Sequence, residues 1–361
     1  MTEQKKQPWL QSPLVDGLFI LSPPFLCLLA IMLFPGFFQT KDNAVSVTAW
    51  VLLILLIDVG HVWSTLFRTY FDKERLRQQK QLLLWVPVLA WLGGMLLHSL
   101  GGLVFWRVLA YLAVYHFVRQ QYGFLRLYSR QEKQSQLERQ IDTITVYVAT
   151  IYPLLYWHLE GNRRFNWFLE NDFYFLSQPG LLPLLTGMYL LVLAIYLLKE
   201  VRRVWRNKYL NLPRNLVILG TLLSWYLGIV YYNGDLIFTT FNVVSHGIPY
   251  MASVWIFGKR KYRKAGATAG LAERLAFGAA GIAFFLGLVF LLAYVEEGLW
   301  DALVWRDHES VFSLFTGLPI IEDELLLTVL VPLLALPQLT HYILDGFIWK
   351  VSREKDISAS L

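Results

Sequence analysis

Four histidines carry the chemistry this sequence can offer: His61 in "LLIDVGHVW", His116 in "VYHFVRQQYG", His246 in "TFNVVSHGIPY" and His341 in "LTHYILDGFIW". Each lies in an apolar run and has a polar neighbour at helical spacing. Asp58 precedes His61 by three, Gln120 follows His116 by four, Asn242 precedes His246 by four, and Asp345 follows His341 by four. Such offsets put both groups on one face of a helix. Neutral imidazole is a common metal ligand, and a metal-bound ring usually donates its other N–H to a carboxylate, a backbone carbonyl or water. His61, His116, His246 and His341 are therefore candidate metal ligands. Asp58 and Asp345 are candidate ligands or orienting groups, and Asp58, Gln120, Asn242 and Asp345 are candidate catalytic residues.

An apolar medium makes these groups costly. One aspartate at the centre of a membrane span costs about 2.5–3.5 kcal/mol on insertion scales, so Asp58 and Asp345 need partners. A divalent metal held by imidazoles, with the carboxylates beside it, satisfies both sets at once. Imidazole without thiolate suits iron, zinc, copper or manganese, and ligand type alone does not choose among them. Haem ligation, a proton relay and a structural polar cluster use the same residue types and stay open on the pattern alone. The single cysteine, Cys27, excludes a disulfide framework and a cysteine-based zinc or iron–sulfur site. No G-x-S-x-G, H-E-x-x-H or P-loop pattern occurs.

Around this set, Arg68 and Arg119 follow His61 and His116 closely enough to hold a lipid phosphate or a substrate headgroup, or else to snorkel as boundary residues. Tyr115, Tyr122, Tyr250 and Tyr342 flank the histidines as hydroxyl donors or as packing. The remaining histidines, His98, His158 and His308, fall at helix ends, where a wetted imidazole needs no special account.

The elements that must position these residues are membrane helices. The 361-residue chain is 56% hydrophobic and only 16% charged, and uncharged runs recur from end to end, which is the composition of a polytopic membrane protein. Spans read at about 14–38, 45–67, 82–98, 103–127, 142–160, 179–199, 214–233, 237–257, 271–296 and 325–349. The expected fold is thus all-α, an integral membrane bundle of about ten transmembrane helices forming a single transmembrane domain over 1–361. On this reading alternate loops collect 27 of the 32 Lys and Arg, which by the positive-inside rule places both termini in the cytoplasm. The four histidine-bearing spans then run from outside to inside, with their imidazoles at the midplane or in the cytoplasmic half. The acidic stretch from Glu296 to Glu324 faces outward, and the segment 163–177 lies along the outer interface. The net charge of +6 comes from short loops and argues for contact with anionic lipid, not with nucleic acid.

Single histidines on several helices near the cytoplasmic side resemble the histidine-rich polytopic membrane oxygenases, in particular the bacterial β-carotene dioxygenases of the bacteriorhodopsin-related-protein type. The resemblance is one of layout and covers the four histidine-bearing spans. It implies non-haem iron held by His61, His116, His246 and His341, with zinc or another divalent metal as the alternative. It also implies a lipid or isoprenoid substrate that enters from the bilayer, and a cytoplasmic electron donor if reducing equivalents are needed. The H-x-x-x-H and H-x-x-H-H boxes of membrane desaturases are absent, which argues against a desaturase-type di-iron centre. The expectation is a metal-dependent oxygenase in a bacterial cytoplasmic membrane. Its rivals are a proton- or ion-coupled transporter using the same groups as a relay, and a membrane acyltransferase built on His246 and Asn242.

Overall fold

The computed structural model describes residues 7–39, 45–161, 163–265, 269–279 and 281–349, and among them all regular structure is helical. Lys5, Lys6, Lys41, Lys350, Arg353 and Lys355, which count towards the expected orientation, lie outside the described residues.

Five helices are long and apolar enough to cross a membrane: Val47–Arg68, Lys80–Ser99, Pro179–Asn207, Leu212–Tyr231 and Gly281–Trp305. Two bent pairs, Pro13–Leu21 with Pro23–Leu33 (61°) and Glu324–Leu334 with Leu336–Ile348 (44°), bring the number to seven if each pair is one span. Proline explains the bends, since Pro23, Pro24 and Pro337 supply no N–H to the preceding turn. Three further stretches expected to span are helical but carry more polar groups: Gly102–Tyr128, Gln136–Glu160 and Ser245–Ala265. Helix starts follow capping chemistry. Ser46, Ser135, Asn211 and Asp323 each accept a backbone N–H of the first turn, and Ser135 forms a reciprocal capping box with Glu138.

The run 271–296 is not one span. Gly278 takes an extended conformation after Leu271–Phe277, and a new helix begins at Gly281 and continues to Trp305. Glu296 and Glu297 therefore sit inside a candidate span and not at the start of an outer acidic stretch. Glu296 is buried, and its Oε2 accepts from Trp63 Nε1 at 2.6 Å.

The chain divides into two compact units, one of 1–44 with 114–249 and one of 45–113 with 250–361. In the first, Gln136–Glu160 packs on Pro179–Asn207 and on the Leu212–Trp225 helix, which also meets Pro23–Leu33. Cys27, Ile31, Ile237 and Phe241 form one of its apolar clusters. In the second, Gly281–Trp300 packs on the two segments Val51–Val59 and Gly60–Ser64, while Lys80–Ser99 packs on Glu324–Leu334 and Leu336–Ile348. Phe67, Val254, Phe277, Phe285 and Val289 fill its core. Leu184, Leu190, Leu191, Leu197 and Leu198 stand exposed on Pro179–Asn207, an apolar surface that suits lipid contact.

The first unit also contains a buried ion network. Arg214 pairs with Glu132 (3.0 Å), Asp142 (3.1 Å) and Glu200; Lys199 pairs with Asp142 and with Glu200 (2.7 Å); Arg203 reaches Glu132 and Glu138, both at 3.4 Å. Burial pushes the Glu132 carboxyl up from its ordinary range against the pull of Arg214 and Arg203. Read along the chain, these residues are ordinary loop and boundary charges; together they tie three helices and the 129–135 connection. Removing one partner of such a network leaves an uncompensated buried charge, which typically costs about 3–5 kcal/mol. Arg214→Met is expected to lower unfolding stability in detergent by that amount, and a stability equal to wild type would show that the network does not hold the fold.

Candidate metal centre

Local backbone geometry aims two of the four histidines. A nine-residue π-helical stretch, Val51–Val59, ends two residues before His61, and a π-helical turn, Thr240–Val244, ends two residues before His246. π-Helical turns recur at functional sites because they widen the helix and re-aim the side chains beyond them. Pro249 reinforces the second, since it gives no N–H to the Ser245 carbonyl one turn back.

In the first unit, His116 and His246 form an edge-to-face pair with ring centroids 4.9 Å apart. Phe117 stacks on His246 at 3.6 Å and 12°, and Trp167 packs edge-on against Phe117 at 5.1 Å. Trp167 belongs to the segment 163–177, which is held by side chains and not by a helix. Asp172 Oδ2 accepts the backbone N–H of Trp167, Phe168 and Leu169, Arg163 Nη1 donates to the Ile229 carbonyl, and Arg164 N donates to Asn233 Oδ1. Instead of lying along an interface only, the segment reaches the aromatic wall of the histidine pair. His158 is likewise buried against Phe173 rather than wetted.

Gln120, expected beside His116, serves His246. Its Oε1 lies 3.0 Å from His246 Nδ1 and its Nε2 donates to the His246 carbonyl at 3.1 Å. The side-chain amides of Gln120 and Gln121 lie 3.4 Å apart, and the Thr221 hydroxyl lies 3.1 Å from the Gln121 amide. Asn242 turns back on its own helix, where Nδ2 donates to the Phe238 carbonyl at 2.9 Å.

In the second unit, His61 and His341 form a matching edge-to-face pair at 5.0 Å, and Tyr250 lies against both rings. Asp58 Oδ1 is 3.6 Å from His61 Nδ1, and Asp345 Oδ1 is 3.9 Å from His341 Nδ1. Closer partners are Thr65, whose Oγ1 lies 2.6 Å from His341 Nδ1 and 2.9 Å from Tyr250 Oη, and Asp345 Oδ1, which accepts from Tyr250 Oη at 2.6 Å. Sequence reading missed Thr65 altogether. Its signal is a hydroxyl four residues after His61 in an apolar run.

All four imidazoles are at least 96% buried. Each offers one ring nitrogen, and together they make a group that could hold a metal ion. The grouping contains neither Asp58 nor Asp345.

The arginines and tyrosines sort differently. Arg68 is buried, stacks over Trp349 at 4.8 Å and donates to the Ile348 carbonyl at 3.3 Å. Arg119 is exposed, donates to Tyr147 Oη at 2.7 Å and lies over Tyr122. Tyr115 is 63% exposed, whereas Tyr342 packs against His341 at 5.5 Å. Comparison with known family models, curated proteins and solved structures finds no match.

Phe117 is the stacking partner that sets the plane of the His246 ring. Phe117→Ala should cost about 3–5 kcal/mol of stability through the cavity it leaves, while Phe117→Leu should cost distinctly less, both read by denaturation in detergent. Equal stability of the two variants would mean that this ring stack is not a packing element.

Proposed function

We propose that the protein is an integral membrane metalloenzyme, a non-haem iron oxygenase acting on a hydrophobic lipid or isoprenoid substrate. What carries this reading is a group of four buried imidazoles that could hold a metal ion, with no thiolate in the group. The donor set fits the metal, since neutral imidazoles suit iron and zinc alike. Iron bound there would supply oxygen activation. The resemblance of layout to the bacterial β-carotene dioxygenases favours iron over zinc.

The chain's own residues have definite tasks in this reading. His61, His116, His246 and His341 would hold the ion, and Asp58 and Asp345 would balance its charge. Phe117 and Trp167 keep water from one side of the centre, which protects reactive species from bulk solvent. The substrate arrives through the bilayer along the apolar helices, and a cytoplasmic donor docks on basic inner loops if electrons are required. In the same reading the polar helices at 102–128, 136–160 and 245–265 also cross, giving about ten spans with both termini inside a bacterial cytoplasmic membrane.

The acyltransferase alternative is less favoured, because Gln120 occupies Nδ1 of His246 and Asn242 bonds to its own helix. Elemental analysis of purified protein should find about one iron per chain, with most of it lost in a His116→Ala, His341→Ala double variant. Incubation with a long apolar polyene and oxygen should yield an oxygenated product that the double variant does not form. Metal-free wild type, or unchanged metal in the variant, would overturn the proposal.

A further inference from the structure

Hydrogen-bond direction can be followed residue by residue beside two of the histidines. With Asp345 as the carboxylate, the one hydroxyl proton of Tyr250 goes to Asp345 Oδ1. In the 2.9 Å contact between Tyr250 Oη and Thr65 Oγ1, Thr65 must therefore be the donor. Thr65 also has a single proton, now committed to Tyr250. Its 2.6 Å contact with His341 Nδ1 can then only be one in which the ring donates. The chain runs His341 Nδ1–H to Thr65 to Tyr250 to Asp345, and all its members lie in one compact unit.

The other unit reaches the same result by different chemistry. Gln120 Nε2 faces a carbonyl oxygen, that of His246, which only an N–H group can meet. The amide orientation is thereby set. Gln120 Oε1 is thus an acceptor, and the His246 Nδ1 that lies 3.0 Å from it carries a proton.

We infer that Thr65, Tyr250 and Asp345 on one side, and Gln120 on the other, are positioning residues that hold His341 and His246 as Nδ1–H tautomers. Both rings then present Nε2 as the lone-pair nitrogen. The inference rests on the metal reading for what Nε2 meets, and on hydrogen bonding alone for the tautomers. It reassigns Asp345: this carboxylate is the terminal acceptor of an orienting chain and not a ligand. Outer partners of this kind typically change metal affinity by about 10- to 100-fold when removed, because they fix the ligand ring's orientation and tautomer.

The test uses full-length, metal-free protein with 15N-labelled histidine, in which long-range proton–nitrogen correlations separate the two neutral tautomers. His341→Gln and His246→Gln identify the two signals. Wild type should show Nδ1–H for both rings. Thr65→Val, which keeps the shape and removes the acceptor, should shift His341 away from Nδ1–H, and Thr65→Ser should restore it; Gln120→Leu should do to His246 what Thr65→Val does to His341. Titration with Co(II), followed by its d–d absorption, should show Thr65→Val at least about 10-fold weaker than wild type, with Thr65→Ser close to wild type. An Nε2–H signal in wild type, or equal behaviour of the valine and serine variants, would overturn the inference. Nδ1–H signals without Co(II) uptake would uphold the orienting chains and overturn the metal reading; Co(II) uptake with Nε2–H signals would do the reverse.

Discussion

A polar group carried into apolar surroundings must find its partner within the protein, since no water is there to replace it. Most of what distinguishes this chain stems from that constraint. Its helices are largely Leu, Val, Ile and Phe, and the exceptions are gathered into groups that answer one another. The two groups in the 114–249 region solve the problem differently. Around Arg214 full charges neutralise full charges, which fastens helices together. Around His116 and His246 the side-chain partner is an uncharged carboxamide, the hydrogen bond is directional, and each imidazole offers a ring nitrogen that could ligate a metal. The first arrangement is closed, whereas the second has capacity to bind.

The two histidine pairs show how unlike sequences reach like geometry. Both are edge-to-face, with centroids 4.9 and 5.0 Å apart, and both have an aromatic ring from a neighbouring residue against them. One is oriented by a carboxamide, the other by a hydroxyl relay ending in a carboxylate. A carboxamide can serve directly because it carries donor and acceptor on one rigid plane and can grip the ring and the backbone of His246 together. A threonine hydroxyl has no such polarity of its own, so its direction has to be imposed from further out, by Tyr250 and finally Asp345.

The helical class and most segment positions were legible in the sequence, because long uncharged runs and capping residues such as Ser46 and Asn211 are local signals. The four histidines were legible for a related reason: a costly residue type in an apolar run stands out singly. What could not be read was pairing across distance. Gln120 sits at the correct offset from His116 yet bonds to His246, and spacing along one helix says nothing about a neighbouring helix that offers a better geometry. Thr65 passed unnoticed because a hydroxyl costs little enough in an apolar run to look ordinary. The break at Gly278 was missed because glycine is common in membrane helices, and only its extended backbone separates the short Leu271–Phe277 helix from the span beginning at Gly281. That break also moved Glu296 and Glu297 from an outer loop into a helix.

The π-helical stretches ahead of His61 and His246 set the rotational phase of the helix beyond them. In a regular α-helix each residue turns by about 100°, so the face that meets lipid upstream dictates the faces available downstream. A wider turn breaks that dependence. The residues of Val51–Val59 can keep their apolar side chains on the faces that packing and lipid demand, while His61 and Thr65 are delivered on another bearing. The same holds for Thr240–Val244 and His246. Membrane compatibility and site geometry thereby become independent variables on a single helix, and each can vary along this chain without dragging the other round.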